Sequence, residues 1–360
     1  MLAGLRTPVI AAPMAGGPST PELAVAVSGA GGLGMLAGAN LALEVLAERV
    51  EQVRAGLRSV EGALFGVNVF LPTAEPDPSD AGFAAAFAAH LTALDRWAAR
   101  YGVTRGEARW DDDDWRAKVD WLLAHPVPLV SFHFGCPPPG VVGALHEVGT
   151  EVWTTVTSRA EARVAAAAGA DALIVQGREA GGHRGTFTNG PDADHQEDEP
   201  GLLALVRLVR SVTDLPLVAA GGLVCGADVA AVLAAGARAA QLGTAFLLCP
   251  ETGTSAPHRA AVAADHPTAI TRAFSGRPAR GVRNALLDEL TAAAPAAYPQ
   301  VNRASQPVRA AAAAAGDAAA VALWAGQTHH LARALPAAEL VALVHDEARA
   351  AMVSAASLLG

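Results

Sequence analysis

Short, almost wholly apolar runs alternate along the chain with longer segments in which apolar residues recur every three or four positions. Eight such runs stand out: residues 8–13 (PVIAAP), 32–36 (GLGML), 63–70 (ALFGVNVF), 127–132 (VPLVSF), 151–156 (EVWTTV), 171–176 (DALIVQ), 215–220 (LPLVAA) and 239–244 (AAQLGT). A strand with one wet face alternates apolar and polar residues. Runs without that alternation suit strands covered on both faces, the usual state of a parallel sheet. Between most of them lie helical patterns such as TPELAVAVSGAG, ALEVLAERVEQVRAGL, SRAEARVAAAAGA and GLLALVRLVRSV. Several open on Ser, Thr or Pro and close on Gly, the residues that start and stop helices. Strands alternating with helices in this way predict an α/β chain folded as a (β/α)8 TIM barrel.

Two stretches depart from the alternation. Residues 73–125 add helix between the third and fourth strands, and residues 250–310 are rich in Pro and Ala. Both follow strand ends, where insertions cover an active site in this architecture. The expected organisation is a barrel domain over 1–249 and 311–360, carrying the helical insertion 73–125, and a smaller capping segment over 250–310. The tract RAAAAAAGDAAAVALWAG is expected to be helical, because alanine is the best helix former and larger apolar residues interrupt it.

Composition narrows the partners. The chain has 360 residues, 52% hydrophobic and 17% charged, enough to bury a large core. A net charge of -9 and the lack of a Lys/Arg cluster argue against nucleic acid. No stretch supplies about 18 apolar residues free of charges and Gly/Pro breaks, so no membrane span is expected. Arg6 and two prolines disrupt the apolar N-terminal run, unlike a secretory signal. Cys136, Cys225 and Cys249 are too few and too scattered for a disulfide framework or a zinc site, which suits a reducing cytoplasm.

Candidate chemistry separates into weak and strong signals. Gly29, Gly31 and Gly34 satisfy the G-x-G-x-x-G spacing of a dinucleotide site, but the helical pattern precedes them and the strand follows. The order is the reverse of what that site requires, so these glycines are expected to close a helix. Asp111 to Asp114 are expected to form a solvated helix N-terminus, since consecutive helical positions point in different directions and no His or Glu completes a ligand set. The stretch DADHQEDEP (192–200) is expected to be a polar loop. Stronger signals stand at strand ends. Gly221-Gly222 follow the seventh strand and Gly243-Thr244 the eighth, the two places where barrels bind phosphate through backbone N–H groups. His183 follows the sixth strand, flanked by Gly181, Gly182 and Gly185, which remove bulk beside its ring. Gln176 and Asn68, at the ends of the sixth and third strands, offer amides that can both donate and accept, as a flavin ring demands.

These motifs together resemble the class I nitronate monooxygenases, FMN enzymes on a TIM barrel with a smaller capping domain. The likeness runs through PVIAAPMAGGPSTPELAVAVSGAGGLG, GVNVF, VSFHFGCP, VQGREAGGHRG, AAGGL, AAQLGTAFLLCPE and ITRAFSGRPARGVRN, in the family's order. The resemblance implies FMN contacts from Pro13, Met14, Asn68, Gln176, Gly181, Gly221, Gly222, Gln241, Leu242, Gly243 and Thr244, and a catalytic role for His183. Tyr298 fits a substrate-facing position, and His133 is a second candidate there. No metal is implied. The implied reaction is oxidation of an alkyl nitronate by flavin and O2 to a carbonyl compound and nitrite. Protonated His183 would hold the nitronate oxygens; neutral His183 would take the α-proton of a nitroalkane. The nearest alternative is an FMN-dependent enoyl-acyl-carrier-protein reductase drawing hydride from NAD(P)H.

Overall fold

The computed structural model describes residues 1–77, 79–190 and 200–358. In chain order its strands are β1 (Val9–Ala11), β2 (Gly34–Ala37), β3 (Phe65–Phe70), β4 (Leu129–His133), β5 (Glu151–Val156), β6 (Ala172–Gln176), β7 (Gly182–His183), β8 (Leu217–Ala220), β9 (Ala239–Leu242), β10 (Thr268–Thr271) and β11 (Ala279–Val282). Its α-helices are α1 (Pro21–Gly29), α2 (Leu43–Leu57), α3 (Ala81–Arg100), α4 (Trp115–Ala124), α5 (Pro139–Glu147), α6 (Arg159–Ala167), α7 (Leu202–Arg210), α8 (Gly226–Ala234), α9 (Ala256–Ala263), α10 (Ala285–Leu290), α11 (Gln300–Ala314) and α12 (Ala337–Ser357).

Each of the eight apolar runs supplies one strand of a parallel sheet ordered β1-β9-β8-β6-β5-β4-β3-β2. Parallel bridging of Ile10 to Leu33 brings the two ends together, so the sheet is a TIM-type barrel. Local chemistry explains the alternation. Thr20 accepts a hydrogen bond from the Leu23 N–H at 3.1 Å and Pro21 begins α1; Ser158 likewise accepts from the Glu161 N–H at 3.2 Å to begin α6. The Gly29–Gly34 cluster ends α1 and leads into β2, as its order implied. A Cβ on Gly34 would lie 2.2 Å from the Ala24 carbonyl oxygen, so the close approach of α1 to β2 demands glycine there.

Ile10, Met35, Leu129, Trp153, Ile174 and Val218 fill the barrel interior, with Met1, Leu2 and Leu5 packed against them. Outside the strands, Leu340, Val341 and Val344 of α12 join the core shared with α1, α6, α7 and α8, so the last helix completes the outer ring. A separate core lies over the mouth. Leu94 and Trp97 of α3 pack there with Phe274, Val282, Leu286 and Val308, so the 73–125 insertion and the segment after β9 cover the barrel together. An antiparallel sheet, β10-β11-β7, stitches this cover to the loop after β6 by pairing Ala279 with His183 and Arg280 with Gly182.

Two expectations are corrected. Only the first part of the alanine tract is α-helix: α11 stops at Ala314, Gly316 takes φ +69°, and Asp317 accepts from the Ala319 N–H to start a short 3-10 turn. Beyond it the chain extends until Trp324 bridges Gly281. Propensity favoured helix, but a left-handed glycine and an Asp cap stop it. The acidic run does lead into a helix, with Asp114 exposed at the N-cap of α4, but Asp111 and Asp113 within it are not left to solvent. Arg303 donates to both oxygens of Asp111 at 2.8 Å, while Asp113 accepts from the Asn40 N–H at 3.0 Å and pairs with the buried Lys118 at 2.9 Å. Folding brings α11 across this run and gives it specific cations. The acidic stretch from 192 lies, up to residue 199, outside the described residues. Among the described residues no helix is long and apolar enough to cross a membrane, no acid–His–Cys cluster could hold a metal, and the three cysteines are free.

Candidate active site

The strands end at a cavity roofed by the cover. Pro13 and Met14 after β1, Asn68 in β3, His133 at the end of β4, Gln176 at the end of β6, and Gly181 and His183 in the following loop all line it. So do Gly221 and Gly222 after β8, Gln241 in β9, and Gly243 and Thr244 beyond. Leu242 does not: it lies in the core between the strands and the outer helices. Nor does Tyr298, which is buried with Phe70 and Phe134 and meets the His183 ring edge-on at 5.7 Å between centroids.

His183 is held mainly through its backbone. The Gln176 amide donates to the His183 carbonyl oxygen at 2.9 Å, and His133 Nε2 lies 3.4 Å from the same oxygen. Gln176 Oε1 accepts from the Gly185 N–H at 2.8 Å and from Arg184 at 3.1 Å, so this amide is committed to the loop. Gly185 is required by contact, since a Cβ there would sit 2.9 Å from the His133 ring. The His183 ring meets Phe134 edge-on at 5.5 Å and lies 5.7 Å from Trp324. Its Nε2 is enclosed and has no partner among the described residues. Burial, then His133 and Arg277, push the His183 pKa down to about 3; burial and Arg277 do the same to His133. Both rings are neutral near pH 7.

Asn68 donates to the Ser131 carbonyl and hydroxyl oxygens at 3.1 and 3.0 Å, which leaves its Oδ1 without a partner among the described residues. Gln241 Oε1 is buried and unpartnered as well. At the other end, Gly221 and Gly222 turn with φ +118° and +68°. The amides of Gly221, Gly222, Gly243 and Thr244 have no hydrogen-bond acceptor among the described residues. Thr244 Oγ1 accepts from the Gly326 N–H at 3.0 Å, so its own proton remains available to a ligand. Four amides without an acceptor among the described residues and a hydroxyl, all on residues that line the cavity, suit an oxyanion, and the orphaned Gln241 Oε1 suits a donor.

Sequence reasoning missed part of the wall: Trp324, Asn40, Asn302 and Arg309 also line the cavity. It also missed Arg277, which is fully buried with its guanidinium 3.8 Å from the Phe134 ring centroid; burial lowers its pKa to about 9. Phe134 itself has φ +72°, an uncommon conformation for a bulky residue and one held here by packing beside the candidate catalytic ring.

A barrel whose mouth joins glycine turns with free amides, among the described residues, to an enclosed neutral imidazole has the form of an enzyme of the TIM-barrel class. Comparison with known proteins narrows the class. The nitronate monooxygenase family model matches residues 2–347. A nitronate monooxygenase of Pseudomonas aeruginosa is 40% identical over 359 residues, covering 97% of this chain and 98% of that protein. A nitroalkane oxidase from Streptomyces ansochromogenes superposes with a TM-score of 0.92 at 45% identity, over 98% of this chain and 99% of its own. FabK from Thermotoga maritima superposes with a TM-score of 0.74 at 26% identity, over 99% and 97%. The chain belongs to the nitronate monooxygenase family and is a flavin-dependent oxidoreductase.

Proposed function

We propose that this protein uses FMN and O2 to oxidise small alkyl nitronates to carbonyl compounds and nitrite. The observation that carries the reading is the shared mouth: His183, whose enclosed Nε2 has no partner among the described residues, and the four residues after β8 and β9 whose amides have no acceptor there line a single cavity. The residues present fit FMN. Gly221, Gly222, Gly243 and Thr244 would hold its phosphate, and Asn68 Oδ1 and Gln241 Oε1 would accept from the polar edge of its ring. When bound, the flavin supplies the redox chemistry and the reaction with oxygen.

The chain's own residues decide which form of the substrate is used. A general base works best when its pKa lies near the working pH, and His183 lies far below it. The ring is therefore a poor base for the α-proton of a neutral nitroalkane. The preformed nitronate needs no such step. A bound anion beside the ring favours imidazolium, so His183 Nε2 becomes able to take up a proton and donate it to a nitronate oxygen. Phe134, Trp324 and the cover enclose that atom and keep water from competing for it.

Oxygen consumption and nitrite release with ethyl nitronate, set beside nitroethane at equal concentration, test this directly. The nitronate should be turned over faster at neutral pH, with released flavin identified as FMN, and His183→Asn should depress the rate. An enzyme that ignores nitronates while NADH rapidly bleaches its flavin without oxygen would be a reductase instead.

A further inference from the structure

One cation of the mouth, Arg309, has no acidic partner among the described residues. Asn302 and Arg309 are seven residues apart on α11, two helical turns, and so share a face; both line the cavity. An adjoining stripe, Ala304, Val308 and Ala312, packs into the core of the cover and anchors the helix there. Arg309 donates to the Asn302 carbonyl oxygen at 3.0 Å and to its Oδ1 at 2.9 Å, and Asn302 in turn donates to Asn40 Oδ1 at 2.9 Å. Arg309 Nε is enclosed and unpartnered, and no carboxylate pairs with this guanidinium among the described residues.

An enclosed guanidinium without a counter-ion is costly, and such a group is normally neutralised by whatever occupies its site. Arg277 also pairs with no carboxylate among the described residues, but its guanidinium lies against Phe134 and it does not line the cavity. Arg309's hydrogen bonds lead to Asn302 and onward to Asn40, and its charge reaches His183, where it helps hold the ring deprotonated. The free amides suited to phosphate belong instead to the turns after β8 and β9.

We propose that Arg309, oriented by Asn302, is the substrate-recognition residue: its planar fork pairs with the planar O–N–O of the nitronate, against His183. The inference rests on the nitronate reading of the site. A guanidinium matches two coplanar anionic oxygens by paired hydrogen bonds, whereas the uncharged nitro group of the parent nitroalkane gains little from it. Arg309 thus selects the charge state of the substrate, and Asn302 is a positioning residue behind it.

The test compares Arg309→Met and Arg309→Lys with the parent holoenzyme, using ethyl nitronate and nitroethane. Loss of a charge-assisted pair of this kind predicts a fall of about 10- to 100-fold in kcat/KM for ethyl nitronate in Arg309→Met. Activity on nitroethane should change by less than about threefold, and Arg309→Lys should recover most of the nitronate activity by restoring the charge. Calorimetric titration of the flavin-loaded protein with sodium nitrate, a planar monoanion, gives a readout independent of turnover; its Kd should weaken about tenfold in Arg309→Met. Equal losses on both substrates with a lowered Tm would mean a structural role and overturn the proposal. Weakened FMN binding with an unchanged substrate ratio would make Arg309 a cofactor ligand and overturn it too. A parent enzyme inactive on nitronates would refute the proposed function, while the nitrate titration would still decide whether Arg309 receives an anion.

Discussion

Gln176 and His183 are joined by a hydrogen bond from the amide of one to the backbone carbonyl oxygen of the other, 2.9 Å long, across the turn that follows β6. The same side chain accepts from Gly185 and Arg184, so one residue at a strand end sets the path of the loop on both sides of the ring. Gln176→Ala should therefore displace His183 and strand the buried Gly185 N–H, at a cost of about 1–3 kcal/mol. Thermal unfolding and steady-state kinetics would show a lower Tm together with a lower kcat. Gln176→Glu keeps the acceptor and loses the donor. It should recover part of the Tm but little of the activity, because a carboxylate repels the His183 carbonyl oxygen. Full activity in either variant would break the link between this amide and the ring.

Acid should unfold the protein through its buried imidazoles. Burial is the leading cause that lowers His133 and His183 to about 3, and His90 and His258 to about 4, all from an ordinary value of 6.5. Between those values the unfolded chain binds protons that the folded chain refuses, so stability rises with pH. It is complete above about pH 7 and is lost progressively as pH falls from 6.5 toward 4. Urea midpoints measured at pH 7, 6 and 5 should fall at each step, and unfolding at pH 5 should take up protons. A midpoint unchanged across that range would contradict the neutral state on which the substrate preference depends.

Gly222 has φ +68°, and a Cβ there would lie 3.0 Å from Glu179 Cβ. Gly222→Ala forces a non-glycine residue into left-handed backbone, at roughly 1–2 kcal/mol. It also disturbs one of the amides offered to a phosphate. The expected result is a modest drop in the Tm of the flavin-free protein and a larger loss of FMN affinity, followed by fluorescence quenching. Unchanged FMN binding would remove this turn from the anion site.

Much of this was legible in the sequence, and the rest for physical reasons was not. All eight barrel strands announced themselves because burial on both faces leaves an unbroken apolar run, as in ALIVQ of β6. The strands of the cover did not: β7 has two residues, and TAIT of β10 is only partly buried. Glycines beside His183 and at the ends of β8 and β9 marked the mouth, since close approach and positive φ leave a compositional trace. Arg309 left none. One of two arginines in an alanine-rich helix, it takes its meaning from the way α3 covers that helix, a contact between residues some two hundred positions apart. Asp111 and Asp113 misled for the same reason, because their partners Arg303 and Asn40 are distant in the chain.

Lys118 and Asp113 allow that long-range network to be tested energetically. The Lys118 side chain is fully buried and its ammonium lies 2.9 Å from Asp113. The Asp113 pKa is nevertheless raised, because burial outweighs the favourable pull of Lys118. Pairing therefore does not recover what desolvation removes, and the pair as a whole contributes little stability. Removing one partner is a different matter. Lys118→Met leaves a buried carboxylate opposed by less positive charge and should cost about 3–5 kcal/mol. Asp113→Asn in the same background removes that charge while keeping an oxygen for the Asn40 N–H, which donates to both Asp113 oxygens at 3.0 Å. The double variant should regain most of the lost stability, with a coupling of about 2 kcal/mol or more in a double-mutant cycle of urea unfolding. Additive losses would show that Lys118 stabilises the fold by packing alone.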